Sequence, residues 1–183
     1  MTQKKTLSEN NRKFFREIAN KDIVVRVLIV SDTHRSMGTF LELAEKWAPL
    51  DLVIHCGDIE GDEYVVWEAV DCPVEIVQGN NDFFSDLPRE RQLEIGKYQV
   101  LITHGHQYHV STGHEFLAKE AAARRIDMVM YGHTHRPVIE KVGSVLVMNP
   151  GSLTYPRQSN RKASYIIMEM DHTGEPEFQI HYV

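Results

Sequence analysis

Five times along this chain an apolar, strand-like run stops at a short cluster of side chains able to hold a metal ion. The clusters are Ser31-Asp32-Thr33-His34, Gly57-Asp58, Gly79-Asn80-Asn81-Asp82, Thr103-His104-Gly105-His106 and Gly132-His133-Thr134-His135-Arg136. A lone His-x-His carries little information, because solvated loop histidines are common. Five such strand ends constrain the fold much more. In open α/β sheets ligands gather beyond the carboxyl ends of the strands, whatever their separation in sequence.

The runs that lead into these clusters are residues 23–30, 52–54, 74–77, 98–102 and 128–131. They are nearly continuous in apolar character, as expected of strands buried on both faces. Helical spacing fills the gaps at 39–47, 62–69 and 112–125, with Thr39 placed to cap the first and a cap at the start of the last. Residues 83–97, around Pro88, read as an irregular connection. Beyond His135 the pattern changes to a hairpin over 138–142 and 145–148, then an antiparallel pair over 163–170 and 178–183. Alternating strands and helices followed by hairpins predict one α/β domain over 23–183. Residues 1–22 form an extension in which Phe14, Phe15 and Ile18 have the spacing of a short docking helix.

The chain of 183 residues suffices for one domain with a substantial core. Its net charge of -6 excludes broad attraction to a nucleic-acid backbone or an anionic lipid surface. A nucleic-acid polymer is therefore not an expected partner. No apolar run reaches membrane-spanning length and the N-terminus has no signal-peptide core, so no membrane association and a cytoplasmic location are expected. Cys56 and Cys72 lie in no metal or redox spacing; Cys56 is expected to pack at a strand end.

The chemistry of the clusters is specific. Two carboxylates (Asp32, Asp58), a carboxamide oxygen (Asn80) and several imidazoles make a mixed N/O set without thiolate, suited to Mn²⁺, Fe, Ni²⁺ or Zn²⁺ rather than Ca²⁺ or Cu⁺. Seven ligands are too many for one tetrahedral ion and suit two ions sharing a carboxylate, the usual device for displacement at phosphorus. Two divalent ions, two carboxylates and one hydroxide leave such a cluster about one unit positive, which favours an anionic substrate.

Asp-x-His, Gly-Asp, Gly-Asn, His-Gly-His and Gly-His-x-His, in this order, resemble the motif set of the calcineurin-like metallophosphoesterase superfamily from about residue 24 onward. The short length, the Gly79-Asn80-Asn81-Asp82 segment and the Asn149-Pro150-Gly151-Ser152 loop resemble its small YfcE-type phosphodiesterase branch, related to the retromer subunit Vps29. The resemblance implies a four-layer α/β/β/α sandwich of two mixed β-sheets flanked by helices. It implies one ion held by Asp32, His34, Asp58 and His135, and a second held by Asp58, Asn80, His104 and His133. Mn²⁺ is the first choice of metal, with Ni²⁺, Zn²⁺ or Fe as alternatives. The implied reaction is in-line attack of a metal-bridging hydroxide on a small phosphoester, most naturally a diester. A phosphomonoesterase or nucleotide pyrophosphohydrolase would use the same site, and a Vps29-like interaction module is the reading from another class. The family also allows a homo-oligomer, dimer or tetramer.

One position departs from the larger members of the superfamily, which carry a histidine after the Gly-Asn. Here it is Asn81, which cannot protonate a leaving group. His106 and His109 are the candidate substitutes, His106 being equally placed to orient a ligand from behind, and the candidate catalytic set is Asp58, Asn80 and His106. Asn81, His106 and Arg157 are candidate substrate contacts; Arg136 and Arg161 are weaker ones. His55, His114, His172 and His181 are expected to have no chemical part.

Overall fold

The computed structural model describes residues 24–183, and the expected docking helix over 1–22 lies outside the described residues. Among the described residues, ten strands form two five-stranded sheets. The first runs in the order β10 (Pro176–Tyr182), β9 (Ser164–Met170), β1 (Val25–Val30), β2 (Leu52–His55), β3 (Val74–Ile76). The second runs β4 (Glu90–Ile95), β5 (Tyr98–Thr103), β6 (Met128–Met130), β8 (Val145–Asn149), β7 (Val138–Val142). Both are mixed: β1, β2 and β3 are parallel, as are β5, β6 and β8, and the hairpin strands add antiparallel edges.

Period-two alternation within the apolar runs builds the layers. Val25, Val27, Ile29, Leu52 and Ile54 face Val100, Ile102, Met128, Met130 and Met148 across the space between the sheets. The alternate residues Leu28, Val30 and Val53 point outward onto α1 (Gly38–Trp47) and α2 (Glu63–Ala69), where Phe40, Leu43 and Val66 cover them. On the other side Leu101, Val129 and Val147 pack on Leu117, Ala118 and Ala121 of α3 (Glu115–Ala123). The result is the four-layer α/β/β/α sandwich with two mixed sheets. No helix among the described residues is long and apolar enough to cross a membrane.

Three local expectations need correction. Residues 83–97 are not wholly irregular, because β4 lies within them and pairs antiparallel with β5. Its sequence Glu-Arg-Gln-Leu-Glu-Ile hides the strand, since an edge strand is half-exposed and needs no apolar run. Gly96, at φ +59, makes the tight turn between the two. Thr39 does not cap α1, which starts one residue earlier; Met37 occupies the cap position and makes no side-chain bond there. The last helix is shorter than 112–125, and Thr112 bonds the His109 carbonyl in the preceding turn.

The edge strands β3 and β4 are linked across the open side of the sandwich by Glu75 and Arg91, 3.4 Å apart. Burial pushes the Glu75 carboxyl up to about 7, and the Arg91 charge offsets only part of this. Between pH 4.5 and pH 7 the folded chain therefore binds more protons here than the unfolded one, and this group's contribution to stability falls as pH rises. Glu75→Gln should match the parent below about pH 4.5 and exceed its stability by about 2–3 kcal/mol above pH 7. Urea denaturation across that range reads the difference; a gap that does not change with pH would count against buried ionisation at Glu75.

Candidate metal centre

The five clusters do converge. β1, β2, β3, β5 and β6 end on the same side of the sandwich, and the loops that follow bring Asp32, His34, Asp58, Asn80, His104, His133 and His135 into one site. These loops bend sharply. Asp32 (φ 56), His34 (φ 45), Asp58 (φ 55), His133 (φ 68) and His135 (φ 55) all sit in the left-handed region that non-glycine residues seldom adopt. Each such residue costs on the order of 1 kcal/mol, and strain of this kind persists where the surrounding structure over-determines it. Close approach adds to the constraint. A Cβ on Gly79 would stand 2.1 Å from Asp58 Oδ1, and one on Gly132 would stand 2.1 Å from Ser31 Oγ and 2.8 Å from Asp32 Oδ2.

Two groups of donor atoms lie close enough to share an ion: Asp32, His34 and His135, and Asp32, Asp58 and His104. In the first group His135 Nε2 is 3.1 Å from Asp32 Oδ1, and the Nε2 atoms of His34 and His135 face each other at 3.4 Å. Asp58 Oδ2 stands 3.9 Å from His34 Nε2 and 3.5 Å from His104 Nε2, between the two imidazoles. Asn80 Oδ1 faces His104 Nε2 at 3.1 Å and His133 Nδ1 at 2.8 Å.

The tautomers follow from the partners on the far side of each ring. His104 Nδ1 donates to the Cys56 carbonyl at 2.7 Å, His135 Nδ1 to the Tyr155 carbonyl at 2.7 Å, and His34 Nδ1 to Glu60 Oε1 at 2.7 Å. Each Nε2 is thereby left with its lone pair directed into the site. Two lone pairs at 3.4 Å repel unless a cation lies between them. Asp32 Oδ1, wholly buried, has no hydrogen-bond donor of its own. The donor set thus fits a divalent metal.

Electrostatics agree. Burial would raise the Asp32 carboxyl, but the adjacent His135 and His104 imidazoles outweigh that and hold it below the usual range. Asp58 is held far below it, burial being overcome by His104 and by the Asn81 backbone N–H. Both carboxylates are ionised at neutral pH. Burial and the neighbouring His104 push the His133 imidazole down.

Asn81 supports Asp58: its backbone N–H and its Nδ2 donate to the two carboxylate oxygens at 2.8 and 2.7 Å. His106 opens a short 3₁₀ turn (His106–Tyr108), with its ring 5.5 Å from that of His104 and 6.1 Å from that of His133. Its Nδ1 has no partner, and burial together with the neighbouring His104 lowers its basicity. Arg157 is exposed, with its backbone N–H on the His135 carbonyl and its guanidinium 3.5 Å from the His133 carbonyl. Arg161 bonds the Pro156 carbonyl, and His109 closes the 3₁₀ turn.

Several contributors were not singled out in the sequence. Asp82, 3 % exposed, accepts four backbone N–H groups: Asp58 and Gly79 at Oδ2 (2.9 and 2.7 Å), Ile59 and Glu60 at Oδ1 (3.0 and 2.6 Å). Glu60 backs His34. His55 is no ligand. Burial brings it down to about 4, and the neutral ring accepts from the Gly57 N–H and donates to Thr33 Oγ1 at 3.0 Å, tying two ligand loops together. Asn149 Nδ2 donates to the Gly132 carbonyl, and Ser152 Oγ to the Asp32 carbonyl. For Asp82 the available signal was its place in the Gly79-Asn80-Asn81-Asp82 cluster, and for Glu60 an acid beside a ligand cluster; for the carbonyl partners there was none.

A two-sheet α/β sandwich with mixed carboxylate, amide and imidazole donors at its strand ends defines the metal-binding phosphoesterase class. The calcineurin-like phosphoesterase superfamily domain model matches residues 25–173, and the chain belongs to this family. Among its relatives, the probable metallophosphoesterase YsnB of Bacillus subtilis is 33% identical over 148 residues, spanning 80% of this chain and 85% of that one. Phosphodiesterase MJ0936 of Methanocaldococcus jannaschii is 32% identical over 145 residues, 69% of this chain and 83% of that one. The fold is shared with a Vps29 variant from Entamoeba histolytica, at a TM-score of 0.71 and 23% identity, covering 87% of this chain and 99% of that one.

Proposed function

We propose that this chain is a two-metal phosphodiesterase acting on small phosphoesters. One ion position would be formed by Asp32, His34, Asp58 and His135, the other by Asp58, Asn80, His104 and His133, with the Asp58 carboxylate common to both. The observation that carries the reading is the pair of Nε2 lone pairs of His34 and His135 facing each other at 3.4 Å beside the unpartnered Asp32 Oδ1. Bound divalent ions, Mn²⁺ before Ni²⁺, Zn²⁺ or Fe, supply Lewis-acid polarisation of phosphoryl oxygens and lower the pKa of an attacking water.

The chain does the rest. Asn81 and the backbone around it hold Asp58 in one orientation, and the Cys56, Tyr155 and Glu60 acceptors hold three imidazoles in one tautomer. Such pre-set groups need no reorganisation as charge builds on phosphorus. His106, beside His104 and His133 with a free Nδ1, is the residue placed to give a proton to the departing alkoxide. Arg157, at the exposed rim, meets the substrate phosphate. A relative named as a phosphodiesterase supports the diester preference. A homodimer or tetramer in the cytoplasm is the proposed setting.

The test strips the protein with chelator, restores Mn²⁺, and measures hydrolysis of a bis-aryl phosphodiester beside the matching monoester. Metal-dependent turnover with the diester faster is the expected result, and His106→Ala should slow an alkyl ester much more than the aryl one. Monoester preference would move the substrate class. No turnover with Mn²⁺, Ni²⁺ or Zn²⁺ would sink the enzyme reading and leave a binding module.

A further inference from the structure

We infer that Glu60 is a positioning residue that makes the two metal positions unequal, binding the ion at Asp32, His34 and His135 tightly and leaving the other exchangeable. The inference rests on the two-metal reading above and goes beyond it, since Glu60 is not a ligand.

The asymmetry lies behind the rings. His104 and His135 each donate Nδ1–H to a neutral backbone carbonyl, whereas His34 donates to the Glu60 carboxylate at 2.7 Å. A carboxylate behind an imidazole fixes the tautomer and raises the donor strength of the opposite nitrogen more than a carbonyl does. The ligand sets amplify the difference. One position has Asp32 and a carboxylate-backed His34, while the other has the neutral Asn80 amide between His104 and His133. More negative charge therefore surrounds the first position than the second.

Glu60 is held in place for this role. It sits at φ 59, a strained conformation for a residue with a side chain, and its N–H donates to the buried Asp82 carboxylate at 2.6 Å. The same carboxylate accepts the Asp58 N–H. Asp82 thus sets Asp58 directly and His34 through Glu60. The Glu60 side chain is 28% exposed, so its replacement removes a charge without opening the core.

The experiment is a calorimetric Mn²⁺ titration of the chelator-stripped full chain, parent beside Glu60→Gln and Glu60→Ala. The parent should take up two ions in two separable steps. Glu60→Gln retains an acceptor for Nδ1–H but not the charge and should weaken the tighter step about 10-fold; Glu60→Ala, lacking both, about 100-fold. The weaker step should stay within about twofold, because local ligand geometry there is untouched. Asn80→Ala should strike the weaker step instead, which assigns the steps to the positions. The metal-free variants should melt with the parent, so that loss of affinity is not loss of fold. Two parent steps with the tighter one unmoved in both Glu60 variants would overturn the inference and leave the phosphoesterase reading standing. So would equal weakening of both steps, or equal affinities in the parent. A parent that binds no Mn²⁺ would overturn both.

Discussion

Replacing Asp58 by asparagine should lower kcat/KM on an aryl phosphodiester by about 10³-fold with Mn²⁺ restored. Asp58 Oδ2 stands between His34 Nε2 and His104 Nε2, so its charge serves both sides of the centre. The carboxyl is held far below its usual range by His104 and the Asn81 N–H despite burial, so the parent is ionised at every working pH. Asparagine is nearly isosteric but neutral, and its NH₂ would meet a donor, Asn81 Nδ2. The folded structure should survive, since Asp82 still anchors the loop through the backbone N–H of residue 58. Circular dichroism checks the fold and steady-state kinetics the loss. Activity within about tenfold of the parent would mean that the shared carboxylate has been misplaced.

Asp82→Ala should cost about 4 kcal/mol of stability even without metal. One carboxylate satisfies four backbone N–H groups from two loops, at a site almost sealed from solvent. A buried donor stripped of its acceptor costs roughly 1–3 kcal/mol, and entering water recovers part of the total. Asp82→Asn should fall between, because one amide oxygen can keep the Ile59 and Glu60 bonds while its NH₂ opposes the N–H groups of Asp58 and Gly79. Urea denaturation of the metal-free protein measures both variants. A loss below about 1 kcal/mol for the alanine would show that water replaces the carboxylate, and the two loops would then owe their alignment to other bonds.

The buried strands and the candidate ligands were legible because both obey local rules, while the layering came from the resemblance of the motifs. Alternation in runs such as Val25–Val30 reports which faces are covered, and strand ends in open α/β sheets face a common crevice. β4 was not legible. Its Glu-Arg-Gln-Leu-Glu-Ile sequence is stabilised by pairing to β5, a partner that no local pattern reports. The caps expected at Thr39 and near Thr112 failed for a similar reason: tertiary packing sets where these helices begin, and neither hydroxyl is needed there.

Local residue patterns determined one α/β domain with metal-ligating side chains at its strand ends; the resemblance of its motifs to the calcineurin-like superfamily supplied the four-layer sandwich and the candidate set Asp32, His34, Asp58, Asn80, His104, His133 and His135. Residue type carries ligand chemistry, and hydrophobic period carries burial. Only the tertiary structure decided what stands behind those ligands: Asp82 across two loops, Glu60 behind His34, and the Cys56 and Tyr155 carbonyls behind His104 and His135. These contacts depend on direction and distance between segments that fold from far apart. Backbone carbonyls are present in every residue, so no composition or spacing distinguishes the two that orient an imidazole from the rest.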